Sequence, residues 1–344
     1  MGIDSNKIQS LKDLLNQSAN ILITAHKSPD GDSVGSSLGL YHYLKVKGYN
    51  VNICHPDVAP DFLHWLIGHD EIYNLDDHKE KVTEIFANAD LIFCLDYNSS
   101  SRIGQMEKLM NDATAKKVMV DHHRDPDENF CDLMFSDITS CSTSQLIYEI
   151  IAASGDENIV DPLIGTPLYA GIVTDTGSFR FSSTLPKTHL IAARLMEAGV
   201  RHWEVHEHIF DNNSLDRIRL VSYAMLNKLV ILPEYKAAHI SLGAKELESF
   251  NATKGDTEGL VNQALGIEGV KMAVFFKEDD GIVKISFRSK GAVPVSEMAK
   301  NHFNGGGHLN ASGGKFVGKI EDAIDKFVTI LPRFVDENKA CFDD

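Results

Sequence analysis

Four short, almost unbroken apolar runs recur in the first 120 residues, at 21–25, 51–54, 91–95 and 117–120. Each is too short for a buried helix, and none alternates as a strand with one wet face would. Runs of this kind, each followed by turn residues and a 3.6-residue period, predict parallel strands covered on both faces. Helical patterns at 7–17 and 33–47 flank the first run, and a polar turn, His26 to Asp32, separates run from helix. The prediction is a doubly wound α/β domain with a mainly parallel sheet. Ligands of such sheets collect outside the carboxyl ends of the strands.

The period turns helical over 142–151, 162–173, 188–198 and 216–230, and a strand-rich stretch begins near residue 231. It holds strand patterns at 237–241, 271–276 and 282–287, a glycine-rich run at 305–314 and an amphipathic helix at 320–335. At 344 residues the chain is longer than one core usually serves. The expected division is a first domain at 1–199, a helical linker at 200–226 and a smaller α/β domain at 227–344.

Composition narrows the partners. Forty-nine acidic residues against 33 basic ones give a net charge of −16. Long duplex nucleic acid, bound through a basic stripe that releases counterions, is therefore excluded as a main partner. The five cysteines are scattered, with no C-x-x-C, and read as reduced, packed thiols. No apolar run approaches the roughly 20 residues that span a bilayer. The first residues, Met1 to Lys7, lack a basic segment followed by an apolar core, so the expected setting is the cytoplasm, without a membrane partner.

Chemistry concentrates at four places. His26-Lys27-Ser28-Pro29-Asp30-Gly31-Asp32 follows the first strand, Asp96 the third, and Asp121-His122-His123 the fourth; Asp175 lies in Gly171-Ile172-Val173-Thr174-Asp175-Thr176-Gly177. Several carboxylates and imidazoles at one sheet edge would repel and desolvate one another unless cations neutralised them. Oxygen and imidazole donors without thiolate suit Mn, Mg, Co or Zn, and the donors outnumber the needs of one ion, so a two-metal site is expected. The competing reading is that these Asp residues are helix N-caps, and Asp32 before Ser33 fits it.

Taken in order, His26-x-x-x-Asp30-Gly31-Asp32, Asp96, Asp121-His122-His123 and Asp175 resemble the four motifs of the DHH phosphoesterases. Gly305-Gly306-Gly307-His308-Leu309-Asn310-Ala311-Ser312-Gly313-Gly314 resembles the signature of their DHHA1 domain. The resemblance spans residues 20–335. It implies one metal on His26, Asp30 and Asp96 and a second on Asp32, Asp96, His122 and Asp175, with Asp96 bridging. Mn²⁺ is the expected ion, with Mg²⁺ or Co²⁺ as substitutes. His123 would polarise the phosphate or protonate the leaving oxygen, or else serve as a hydrogen-bonding partner of the ligands. The active site would lie in the cleft between the domains, closing about 200–226.

The second domain is expected to hold the substrate. Gly305, Gly306 and Gly307 let backbone N–H groups approach a phosphate, His308 can donate to the same anion, and Arg288 offers a bidentate fork. A plain turn and a surface ion pair are the competing readings. Arg102, after the Asp96 strand, is a further phosphate candidate. Phe179 and Arg180, just past Asp175, could stack on a base, or Phe179 could simply be packed.

Among family activities, pyrophosphatases carry a different second domain, single-strand DNA exonucleases are longer, and membrane-attached cyclic-dinucleotide phosphodiesterases add spanning segments. What the resemblance leaves is the compact type, similar to bacterial oligoribonucleases that also remove the 3′-phosphate of pAp. The expected substrates are very short RNA, linear dinucleotides and pAp. The alternatives are a phosphodiesterase for cyclic or linear dinucleotides (c-di-AMP, pApA) and a non-catalytic nucleotide sensor. A homodimer through first-domain helices is compatible with this layout. Gly31, Gly35 and Gly39 do not form G-x-G-x-x-G; Gly35 and Gly39 are read as seating a helix close to the sheet. His202-Trp203-Glu204-Val205-His206 has its Glu one place late for a zincin helix. His55, His64, His69 and His78 lack carboxylates at ligand spacing.

Overall fold

The structure, a computed structural model, describes residues 3–253, 255–279 and 281–343. It divides into two compact units, Met1–Asn212 and Asn213–Asp344. The boundary falls inside the 200–226 segment: the helix His202–Phe210 ends in the first unit and the helix Leu215–Tyr223 opens the second.

In chain order the first unit comprises α1 (Ser5–Gln17), β1 (Asn20–Ala25), α2 (Gly31–Val46), β2 (Asn50–His55), β3 (Ile72–Asn74), α3 (Lys79–Asn88), β4 (Leu91–Leu95), α4 (Glu107–Asp112), β5 (Lys116–Asp121), β6 (Leu133–Ser136), α5 (Thr143–Ala153), α6 (Pro162–Asp175), α7 (Pro186–Glu197) and α8 (His202–Phe210). Its six strands are all parallel, in the order β3-β2-β1-β4-β5-β6. The short strands β3 and β6 have no clear sequence signal. They extend the sheet at its edges, where half-buried residues suffice.

Successive residues of each central strand enter different cores. Ile21, Ile23, Phe93, Leu95, Val118 and Val120 pack with α1, α2, α5 and α6. Leu22, Ile92, Cys94 and Met119 pack with Val82, Phe86 and Met110 of α3 and α4. This two-sided burial explains why the strands read as continuous apolar runs. The order reverses direction between β1 and β4, which places the crevice of a doubly wound sheet at their carboxyl ends.

The glycines of α2 require a correction. A Cβ at Gly35 would collide with the Pro167 carbonyl, and one at Gly39 with Leu168. The close approach is between α2 and α6, and not between helix and sheet.

The second unit comprises α9 (Leu215–Tyr223), β7 (Val230–Leu232), β8 (Ala237–Leu242), α10 (Ala244–Ser249), α11 (Leu260–Leu265), β9 (Met272–Asp279), β10 (Ile282–Ser289), α12 (Val295–His302), β11 (Gly306–Gly307), β12 (Ala311–Val317), α13 (Ile320–Glu337) and α14 (Lys339–Asp343). Its sheet runs β11-β12-β10-β9-β8-β7, with β8 and β9 parallel and the other pairs antiparallel. Ala323, Phe327, Leu331 and Phe334 of α13 recur at helical spacing and bury against Val274, Phe276, Ile285 and Phe287. All five cysteines are free. Among the described residues no helix is long and apolar enough to cross a membrane.

Candidate active site

Each motif of the first unit is delivered by an element that ends at the carboxyl edge of the parallel sheet. His26 follows β1, Asp96 follows β4, Asp121 closes β5 with His122 and His123 behind it, and Asp175 ends α6. Because β4 lies between β1 and β5, Asp96 stands between the two histidines. Its Oδ2 is 3.3 Å from His26 Nε2, and its Oδ1 is 3.4 Å from His122 Nε2. Asp96 has φ of 64°, a left-handed value that Asp tolerates better than most residues.

Around this centre, Asp30 Oδ2 lies 3.6 Å from His26 Nε2. Asp32 Oδ2 and Asp175 Oδ2 lie 3.9 and 3.3 Å from His122 Nε2. The ligand atoms of His26, Asp30 and Asp96 fall within 4.8 Å of one another, and so do those of Asp32, Asp96 and His122. Asp96 is common to both groups. The second imidazole nitrogens are taken up by carbonyls: His26 Nδ1 meets Lys27 O at 2.9 Å and His122 Nδ1 meets Ser140 O at 3.3 Å. That arrangement turns both Nε2 atoms inward.

The N-cap expectation is corrected in detail. Helix α2 starts at Gly31, and its cap is Asp30, whose Oδ1 accepts from the Asp32 and Ser33 amides. Asp32 instead reaches across to the start of α5, accepting the Thr143 amide at 2.6 Å and the Ser144 amide at 2.8 Å. Thr143 also donates its hydroxyl to Asp96 Oδ1 at 3.0 Å. These hydroxyl residues were missed by the sequence reading. Their signal is the run Ser140-Cys141-Ser142-Thr143-Ser144 ahead of a helix, a capping pattern that gives no hint of its distant partners. Asp57 was also missed; it accepts the Ser28 amide at 2.7 Å and ties down the His26–Asp30 loop.

Charge in this pocket is unbalanced. Burial raises the Asp32 carboxyl well above its usual range, and the neighbouring Asp96 and Asp175 charges add to the rise. Burial likewise pushes Asp175 up to about 7. For Asp96, burial opposes ionisation, but hydrogen bonds to His122 and His26 hold it well below the carboxylate range. Burial alone would depress His26 and His122, yet the surrounding carboxylates raise both well above the ordinary imidazole value. Asp32 is 1% and Asp96 2% exposed, so water cannot offset the charge of these carboxylates and bound cations would. The donor set, carboxylate oxygens and imidazole nitrogens without thiolate, fits hard or borderline divalent ions.

His123 stands beside this cluster. Its Nδ1 is 2.7 Å from Asp121 Oδ1 and its backbone amide donates to Asp121 Oδ2, while Asp121 itself is fully buried. Arg102 is exposed, and its carbonyl accepts the Lys27 amide at 2.8 Å, which places its segment against the His26 loop.

Arg288, Gly305, Gly306, Gly307 and His308 belong to the second unit. Gly306 and Gly307 pair with Gly313 and Ser312 as a hairpin edge, and Arg288 opposes Ala311 on the next strand. The glycine run is thus a β-hairpin and not a bare turn. The Gly305 amide is taken by the Ala299 carbonyl at 3.1 Å, which removes it from the expected set of phosphate donors. Gly307 has φ of 138° and lies so close to Ala311 O and Ser312 that a Cβ would clash. The Phe179 ring packs on Tyr169 and His189, so the packed reading holds for it. His202 to Phe210 is an ordinary surface helix, and His55 is buried against Ser37 Oγ.

A parallel sheet that gathers carboxylates and imidazoles around one shared aspartate is the layout of a divalent-metal-dependent hydrolase. Residues 20–172 match the profile of the DHH family, N-terminal domain, and residues 236–337 that of the DHHA1 domain. The chain belongs to the DHH phosphoesterase family and is a hydrolase. It is 31% identical to the bifunctional oligoribonuclease and PAP phosphatase NrnA of Bacillus subtilis over 294 residues, covering 85% of this chain and 88% of the relative. The protein of that name from Thermus thermophilus is 30% identical over 301 residues, covering 87% and 84%. The crystal structure of an exopolyphosphatase-related protein from Bacteroides fragilis superposes with a TM-score of 0.93 at 36% identity, over 98% of both chains. Divalent-metal dependence is consistent with this family.

Proposed function

We propose that the protein hydrolyses very short oligoribonucleotides and linear dinucleotides to 5′-mononucleotides, and pAp to AMP, with two divalent cations of which Mn²⁺ is the working one. One cation is assigned to His26, Asp30 and Asp96, the other to Asp32, Asp96, His122 and Asp175. The observation that carries the reading is that opposite oxygens of Asp96 face His26 and His122. The substrate class follows the two similar oligoribonucleases. A bound cation pair supplies an acidified water and offsets the charge that builds on the phosphoryl oxygens.

The residues of the chain do the rest. Asp121 holds the proton on His123 Nδ1 and stabilises the imidazolium, from which Nε2 passes a proton to the leaving oxygen. Arg288, His308 and the Gly306–Gly307 edge are assigned to the far phosphate or nucleoside of the substrate, and Arg102 to a phosphate beside the His26 loop. A chain of net charge −16 favours short substrates, since a long backbone would meet repulsion away from the site. Five free thiols suit the reducing cytoplasm.

Product analysis with Mn²⁺ tests this on pApA, pAp, c-di-AMP, pyrophosphate and long single strands. AMP from both pApA and pAp is expected. Cleavage of pyrophosphate or long strands with pApA and pAp untouched would overturn the reading. Turnover of c-di-AMP alone would replace it with a cyclic-dinucleotide phosphodiesterase, and tight binding without turnover with a sensor.

A further inference from the structure

The turn after Asp175 has a backbone that needs explaining. Gly177, Ser178 and Phe179 take successive left-handed φ values of 55°, 62° and 63°. Few non-glycine residues adopt this region, and residues as bulky as Phe do so rarely. Such a conformation persists only where its surroundings over-determine it, and it clusters at functional sites.

Here the surroundings are explicit. The Ser178 amide donates to Val173 O at 2.8 Å, the Phe179 amide to Thr176 Oγ1 at 2.9 Å and the Arg180 amide to Thr176 O at 3.0 Å. His206 of α8 fastens the turn from outside: its Nδ1 meets His202 O at 2.9 Å, so Nδ1 carries the proton and Nε2 accepts from Ser178 Oγ at 3.1 Å. The turn delivers one side chain to solvent, Arg180. Its Nε donates to the carbonyl of Gly177 at 2.6 Å, two residues from Asp175. Among the described residues Arg180 forms no ion pair, and its turn directly follows Asp175 at the end of α6. Its two terminal nitrogens, the flat edge of the guanidinium, are left for an outside anion.

We propose that Arg180 is a phosphate-binding residue, presented by this strained turn to grip non-bridging oxygens of the substrate's phosphoryl group in a bidentate fork. A guanidinium fixed at Nε loses little freedom when it binds, and the planar match to phosphate is one that lysine does not reproduce. The inference rests on the phosphoesterase reading above and adds a substrate contact to it.

The test compares wild type with R180A, R180K, H206L and the double variant R180A/H206L. It measures kcat and KM on pApA with Mn²⁺, and AMP and Mn²⁺ binding by calorimetry. Loss of a charged fork raises the KM of R180A, and weakens AMP binding, about ten- to a hundredfold. R180K stays close to R180A, and Mn²⁺ affinity is unchanged in both. H206L gives a smaller KM rise that disappears in the R180A background, because it acts through the same turn. An unchanged KM and AMP affinity in R180A overturns the proposal, as does a parallel loss of Mn²⁺ affinity, which would make Arg180 a support for Asp175. Full additivity in the double variant removes the His206 part. If wild type leaves pApA intact, the substrate reading fails instead, and AMP binding by R180A still decides the role of Arg180.

Discussion

The two units present their candidate site residues in opposite ways. In the first, His26, Asp32, Asp96 and His122 are buried and cross-tied: Asp32 accepts two amides of α5, Asp96 accepts the Thr143 hydroxyl, and His122 is braced by Ser140 O. In the second, Gly306 and Gly307 lie open to solvent on a hairpin edge whose backbone is fixed by strand pairing, and His308 and Arg288 are half-buried. A centre that must hold charge has to be built before the substrate arrives, since unpaired buried carboxylates are costly. A grip for a solvated anion needs only access and a fixed backbone. The lesson is that substitutions in the buried centre of the first unit should act on turnover or metal, and substitutions in the second unit, like that of the exposed Arg180, on substrate affinity.

The largest expected effect comes from the shared aspartate. Removing divalent ions with EDTA abolishes hydrolysis and Mn²⁺ restores it, whereas D96N lowers kcat by at least about 10³-fold with no rescue by added metal. Calorimetric Mn²⁺ titration of D96N should show both binding events weakened; a variant that still binds two ions tightly would break the bridging assignment.

His123→Ala comes next, with an expected loss of about 10² to 10⁴ in kcat and unchanged metal occupancy. Near-normal turnover in a single-turnover assay would leave His123 only a hydrogen-bonding place beside Asp121. A smaller effect is expected at Thr143. T143V removes the hydroxyl that orients Asp96 and lowers metal affinity by about 10- to 100-fold, and T143S restores it, because the conservative variant keeps the donor. The smallest is R288A, expected to raise KM for pApA about tenfold while kcat and Mn²⁺ affinity stay near wild type. If R288A lowered kcat without touching KM, the contrast between the units would fail.

Much of this was legible in the chain, for reasons visible in particular residues. The central strands could be read because each is buried on both faces and therefore apolar throughout, as Leu91 to Leu95 shows. β3 and β6 escaped because edge strands need no such composition; Ile72, Tyr73, Leu133 and Met134 are only half-buried. His26, Asp96, His122 and Asp175 could be picked out because a polar residue at or directly after the end of an apolar element must emerge at that element's end. Which helix Asp32 caps could not, since its partners Thr143 and Ser144 lie more than 110 positions away. The glycine run 305–307 signals close backbone approach, but the approach is to Gly313, Gly314 and Ser312 of its own hairpin.

Sequence alone determined the period and direction of the central strands and their helices, and with them the edge at which the motif residues emerge; these are local properties, fixed by burial pattern and chain polarity. Tertiary structure decided the rest. Placing β4 beside β1 set Asp96 between His26 and His122, and the start of α5 met the carboxylates of Asp32 and Asp96. A left-handed turn after Asp175 turned Arg180 outward. Those outcomes depend on contacts between segments far apart in the chain, and no local pattern encodes the order in which strands take their places in a sheet.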